Sequence, residues 1–255
     1  VDETTQAAAR ALFDARAERR DAVLPDALVP ATLDGAYAVH LALLDLLSEA
    51  GGGPRIGWKV GFTNQAAQER NGAAEPVLAG LLGQHAYAGE AEIESPRGHG
   101  LGVEPEIALR LGQPLAGPVS RHEAAAAVEA VAIAMEVVEP RGAEGLHTVV
   151  ADGTLQFGCV LGEWNPDYDP LTLDQADVKL QVDGETNGFM RADEVLGHPL
   201  NALVWLSGAA DRLGIELRPG DVVLTGAITP AQHLEPGQMA ELASDGLGDI
   251  RLWVD

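Results

Sequence analysis

The chain has 255 residues, with 39 acids against 16 Lys and Arg, a formal net charge of −23, 46% apolar residues, 30 Gly and 15 Pro. That length fits one large domain, or one core with a smaller attached piece, and the composition is that of a turn-rich globular protein rather than a disordered or coiled-coil chain. A surface this acidic repels nucleic acid and anionic membranes, so neither is an expected partner, and a small anionic ligand would need a bound cation or a buried basic residue to invert the local sign.

In chain order, "TTQAAARALFDARAE" (4–18) and "LDGAYAVHLALLDLLSE" (33–49) read as helices, the second ended by "GGGPR". "IGWKVGF" is a short strand, and "NQAAQERNG" a short helix closed by Gly72. Residues 73–101 read as turn-rich. "VEPEIALRLG" is a strand, "SRHEAAAAVEAV" a helix capped by Ser120, and "VAIAMEVVEP" a buried strand ended by Pro140. "FGCVLGEW" is a strand, and "ADVKLQVDGETNGFM" a hairpin turning at "DG". "PLNALVWLSGAADRLG" is a helix stopped by Gly214, and "GDVVLTGAI" and "DIRLWVD" are closing strands. Helices first and strands after predict an α+β protein, with a helical region over 1–54 and a mixed-β domain over 55–255. No Gly-rich phosphate loop follows a strand, which argues against a dinucleotide site.

The single cysteine, Cys159, excludes an internal disulfide and reads as a buried, inert thiol. No run is apolar enough to span a bilayer, and the first twenty residues lack the pattern of a secretory signal, so the cytoplasm is the expected location.

Residues two apart in a strand share a face, so Glu104 and Glu106 point the same way. Pro105 between them removes a donor, which favours an edge or a strand start. Glu136 lies in "AIAMEVVEP", where almost everything before it is apolar. Three carboxylates in such company form a shell for a hard divalent ion, Mg²⁺ or Mn²⁺; thiolates are missing and the histidines are not spaced for zinc. The competing reading is an edge strand of an acid-rich protein facing solvent. Lys59 stands inside "IGWKVGF" in a chain poor in basic residues. It could pair with an acid, hold a substrate carboxylate or move a proton, or it could be a surface-strand lysine.

"GWKVGFTNQAAQERNGAAEP", "GVEPEIALRLGQPL", "AMEVVEPR", "VVADG", "VLGHPLNALVWL" and "PGDVVLTGAITPA" occur in an order that resembles the fumarylacetoacetate hydrolase superfamily. More narrowly, they resemble its 2-keto-4-pentenoate hydratase and 4-oxalocrotonate decarboxylase branch, over residues 55 to about 250. The resemblance implies that superfamily's mixed-β core with a helical N-terminal part. It implies Mg²⁺ or Mn²⁺ on Glu104, Glu106 and Glu136, catalytic roles for Lys59 and for Glu139 (where relatives usually carry Asp), and a homo-oligomer acting on small 2-oxo or 2-hydroxydienoic acids. Asp152 is a further candidate, with Glu139, for placing the reacting water.

"VLGHPLNALVWL" resembles the hydratase side most, so the expected reaction is hydration of a 2-hydroxy-2,4-dienoate to a 4-hydroxy-2-oxo acid. The alternatives are decarboxylation of a 2-oxo-hexenedioate, with Arg97, His99 or Arg141 holding the second carboxylate, and C–C hydrolysis or tautomerisation using a His85–Glu90 pair. A scaffold homologue that has lost turnover is the non-enzymatic alternative. One departure bears on the choice. Where relatives usually read "VADNAS", this chain reads "VADGTLQFG", with Gly153 and Leu155 in polar positions that Thr154 or Gln156 could make good.

Overall fold

The computed structural model describes residues 2–98 and 100–255. Both N-terminal helices begin where a side chain caps them. Asp2 accepts from Thr5 N at the start of α1 (Glu3–Ala17), and Thr32 accepts from Gly35 N at the start of α2 (Leu33–Leu47). They are followed by β1 (Arg55–Gly61), α3 (Gln65–Asn71), β2 (Val77–Leu82), β3 (Ala86–Ala88), β4 (Glu90–Ile93), β5 (Leu101–Leu111), α4 (Arg121–Ala127), β6 (Val128–Val138), α5 (Leu146–Ala151) and β7 (Gln156–Leu161). The remainder is β8 (Asp177–Val182), β9 (Glu185–Arg191), α6 (Pro199–Leu213), β10 (Val222–Leu224), β11 (Gln232–Leu234), β12 (Met239–Ser244) and β13 (Gly248–Val254).

The strands form two mixed sheets. The larger runs β2-β1-β10-β5-β6-β7-β3, with β11 also on β5; the smaller runs β4-β13-β12-β8-β9. β5 and β6 are the long central pair, and their alternation organises the core. Val103, Ile107 and Leu109 of β5, with Val131, Ile133, Met135 and Val137 of β6, join the main apolar cluster that also takes in α1, α2 and α6. Ala108, Ala132 and Ala134 belong to a second, smaller cluster with Leu81, Cys159, Val222 and Leu224. On β5 and β6 one face is thus bulky and the other carries alanines, which leaves room beside them for charged groups.

Several predicted features are present. Gly72 and Gly214 end α3 and α6 in the left-handed conformation. Ser120 forms a full capping box with Glu123. Asp183 and Gly184 both have positive φ at the β8–β9 turn.

Three expectations are corrected. The stretch 73–101 holds β2, β3 and β4. β2 is hard to read because Gly80 interrupts its apolar run; a Cβ there would meet Leu44 Cδ1 at 2.4 Å, so α2 rests directly on the strand backbone. The helix predicted over 120–131 stops at Ala127, where β-branched Val128 starts β6 without a linker.

Pro105, expected at an edge or strand start, is in the middle of a central strand. Its carbonyl accepts from Ile228 N, on the side where β5 is paired by β10 beyond Ala108 and by β11 before Val103. A residue's N and C=O share a side in extended chain, so the missing N–H falls in the gap between the two short strands.

β1 approaches β10 at Gly57, where a Cβ would lie 1.9 Å from Val222 O; at Gly72 nothing lies within 4 Å. Gly57→Ala is therefore expected to cost about 4 kcal/mol or more, or to prevent folding. Gly72→Ala, opposed only by its positive φ, should cost about 1 kcal/mol. Chemical-denaturation midpoints of the two variants check the difference.

Candidate metal centre and its surroundings

The β5–β6 register sets Glu104 opposite Glu136, and Glu106 follows two residues on along the same face. One oxygen from each of the three carboxylates lies within 4.8 Å of the others. Glu106 and Glu136 are buried, and Glu104 is half-buried. From β1, Lys59 reaches the group: its Nζ is 3.0 Å from Glu136 Oε1 and donates to Thr154 O at 3.0 Å. Gly226 N donates to Glu106 Oε2 at 2.8 Å, while Glu106 Oε1 is buried with no hydrogen-bond partner.

Three carboxylates against one ammonium leave an excess of negative charge in a buried site, which is costly if nothing balances it. Burial, and then Glu136 beside it, lift Glu104 to about 7. The same two causes, with Glu104 added, lift Glu106 well above the usual carboxylate range. Burial alone would lower Lys59, but Glu136 and Glu104 outweigh it and the ammonium is held above its ordinary value. A divalent cation would match the excess and give Glu106 Oε1 a partner. All-oxygen donors suit Mg²⁺ or Mn²⁺, so the residues present fit such an ion.

A second ionic cluster lies behind Lys59. Asp152, at the C-terminus of α5, is fully buried. Its Oδ1 is 3.0 Å from Arg16 Nε of α1 and its Oδ2 is 2.7 Å from Arg141 Nε, and both arginines also donate to its carbonyl. Burial pushes this carboxyl up, but the two guanidinium groups outweigh it and hold it below its ordinary value. Glu139 sits 3.5 Å from both Arg97 Nε and Arg141 Nη1. Asp152 and Glu139, expected to place water, are thus both engaged by arginines.

The departure "GTL" is a tight structural unit. Gly153, Thr154 and Leu155 have φ of 81°, 51° and 64° in succession, a conformation L-residues adopt only at a cost. This turn aims the Thr154 carbonyl at Lys59. At Gly153, a Cβ would lie 2.9 Å from His40 Cε1, so a side chain here would require the imidazole on α2 to shift. Thr154 Oγ1 is buried without a partner, and Gln156 lines a cavity of about 240 Å³ together with Arg16, Arg97, Arg141 and Phe157. Neither Lys59 nor any of the three clustered glutamates lines that cavity.

Of the groups expected to hold a second carboxylate, Arg97 and Arg141 meet in this cavity, and His99 lies outside the described residues. The His85–Glu90 pair does not form. His85 packs on Phe157 with ring centroids 4.8 Å apart, and Glu90 pairs with Arg251 at 2.9 Å. Sequence reasoning missed Arg16, His40 and the main-chain donor of Gly226. The only signal for the first two was an arginine and a histidine within apolar helical runs; a backbone donor leaves none.

The model of the fumarylacetoacetate (FAA) hydrolase C-terminal family matches residues 45–255. A 4-oxalocrotonate decarboxylase of a Pseudomonas species is 33% identical over 203 residues, 78% of each chain. A 2-hydroxyhexa-2,4-dienoate hydratase of Comamonas testosteroni is 31% identical over 245 residues, covering 93% of this chain and 92% of the relative. The solved 4-oxalocrotonate decarboxylase of Pseudomonas putida G7, complexed with magnesium and adipate, superposes with a TM-score of 0.89 over 99% of this chain and 98% of that one, at 24% identity; this last likeness is one of fold. No helix among the described residues is long and apolar enough to cross a membrane.

His40 is buried, its Nε2 accepts from Gly80 N at 3.0 Å, and burial, followed by Arg16, pushes it down to about 3. A base depressed in the folded state contributes stability that is present above its ordinary value of 6.5 and lost as pH falls toward 3. The expected slope is up to about 1.4 kcal/mol per pH unit below pH 6.5. Because Glu104 and Glu106 titrate with the opposite sign, the check is a difference: the urea midpoint of the wild type minus that of His40→Gln should decrease from pH 7 to pH 5.

Proposed function

The chain belongs to the fumarylacetoacetate hydrolase family, in its keto-pentenoate hydratase and oxalocrotonate decarboxylase branch, and from that premise we propose that it is a Mg²⁺- or Mn²⁺-dependent lyase that decarboxylates a 2-oxo-hexenedioate. Glu104, Glu106 and Glu136 would hold the ion. When bound, it supplies Lewis acidity at the oxygen of a 2-oxo acid. Lys59, kept protonated by its glutamate neighbours, donates to the substrate's C1 carboxylate or 2-oxo oxygen, and so helps to neutralise the charge that develops there. The bond to the far carboxylate breaks, CO₂ leaves, and the released pair moves through the conjugated C=C toward the 2-oxo group. A proton then completes a 2-hydroxydienoate.

The observation that carries decarboxylation over hydration is the turn facing Lys59. Hydration needs a group that positions and deprotonates water. Here the turn offers Gly153 and Leu155, and the nearby Asp152 and Glu139 are tied to Arg16, Arg97 and Arg141. Loss of CO₂ needs the electron sink but no attacking water. The segment "VLGHPLNALVWL", which suggested hydration, is engaged in capping: His198 Nδ1 accepts from Leu200 N, and Pro199 opens α6. It therefore supports α6 and does not bear on the choice of reaction. Hydration of a 2-hydroxydienoate is the second reading, favoured by the Comamonas hydratase's likeness along nearly the whole chain.

The test is a paired assay with Mg²⁺: CO₂ release from a 2-oxo-hexenedioate, and loss of dienol absorbance from a 2-hydroxydienoate. Faster CO₂ release is expected; a larger kcat/KM for dienoate consumption would move the assignment to hydratase. Glu106→Gln should weaken Mn²⁺ binding by more than the ~10–100-fold typical of removing an outer partner, read by calorimetry. Lys59→Met should keep Mn²⁺ binding and lose about 10²–10⁴-fold in kcat.

A further inference from the structure

The cavity behind the turn has a use that the metal chemistry does not supply. In a chain of net charge −23, four of its 16 basic residues, Arg16, Arg19, Arg97 and Arg141, line this one space. Their acidic partners are Asp21, Glu139 and Asp152. Four guanidinium groups against three carboxylates leave one positive charge uncompensated, and Arg19 has no ion-pair partner among the described residues. A cleft with low-dielectric walls concentrates such a charge toward an entering anion.

Other walls are apolar, from Leu44 and Leu47 of α2, Leu82 of β2 and Phe157 of β7. At about 240 Å³ the space falls below the ~300–1,000 Å³ of pockets for drug-sized ligands. A guest must therefore be small, with an apolar stem and an anionic head for Arg19, whose guanidinium is unpaired among the described residues while those of Arg16, Arg97 and Arg141 are engaged by Asp152, Asp21 and Glu139. A carboxylate on a short hydrocarbon chain meets all three conditions.

We infer that this arginine-walled cavity between α1, α2 and the 152–156 turn is a binding site for a small carboxylate with an apolar stem. It shares one element with the metal centre, because Gly153 forms its wall while the next residue's carbonyl holds Lys59. The carboxylate is either the far end of a dicarboxylate whose near end is at the metal centre, or a separate small acid.

Calorimetry on the full chain, stripped of metal with EDTA, tests this with hexanoate as the probe. Saturable binding is expected, with affinity falling at least about tenfold in Arg19→Gln/Arg97→Gln and unchanged in Glu106→Gln. Arg19 is exposed and unpaired, so Arg19→Gln alone, expected to weaken binding, carries the test if the double variant fails to fold. Absence of saturable hexanoate binding, or wild-type affinity in the folded arginine variant, overturns the site. Adding Mg²⁺ and replacing hexanoate with adipate separates the two sources. One adipate per chain, bound more tightly with Mg²⁺ and weakened by both Glu106→Gln and the arginine variant, assigns the site to the far end of a dicarboxylate. Two adipates per chain assign it to a separate acid. Because the readout is binding without metal, it can fail while the lyase assay succeeds, and the reverse.

Discussion

Three carboxylates share the face of the central β5–β6 pair that carries Ala108, Ala132 and Ala134, and the excess negative charge among them is the constraint that the surrounding structure answers. The alternation of β5 and β6 sends bulky residues to one side and leaves Ala108, Ala132 and Ala134 on the other. Only a face that small leaves space for Glu104, Glu106 and Glu136 to converge. Lys59 from β1 compensates one charge and a main-chain donor at Gly226 eases another. The remainder is a charge that a divalent ion would match, so the packing and the family membership point to the same kind of site.

The helical region is part of the same arrangement. Arg16 from α1 and Arg141 after β6 grip Asp152 from two sides, and Asp152 leads into the turn whose carbonyl steadies Lys59. Breaking a buried pair of this kind leaves an uncompensated charge, typically a penalty of about 3–5 kcal/mol. α1 is thus connected to Lys59 through the Asp152 carboxylate and the backbone of residues 152–154. That chain of contacts gives Asp152 a role in shape, whereas Lys59 and the three clustered glutamates stand on β1, β5 and β6.

How much of this could be read beforehand depended on whether a side chain or a shape carried the information. Glu104, Glu106, Glu136 and Lys59 were legible because a charge in an apolar strand is anomalous by itself, and the period of two placed the first pair on one face. The glycine-ended helices and the "DG" hairpin were legible because each requires a left-handed residue at a fixed point. β2 was hidden because Gly80 was selected by its contact with Leu44 across 36 positions of chain, and no local window contains both. Pro105 misled for a related reason: its tolerance depends on a gap between β10 and β11 that exists only once the sheet is assembled. The run "GTL" showed as an anomaly in sequence, yet its meaning required knowing that His40 occupies the space beside Gly153.

That last contact has an evolutionary consequence. Positions 40 and 153 are far apart in the chain but compete for one space, so a side chain at 153 requires a smaller or reoriented residue at 40. A lineage that installs an amide side chain at 153 must first, or at once, shrink or reorient the residue at 40. The order of exchange therefore matters: the change at 40 opens the space that a side chain at 153 would take, and the reverse order meets the imidazole first.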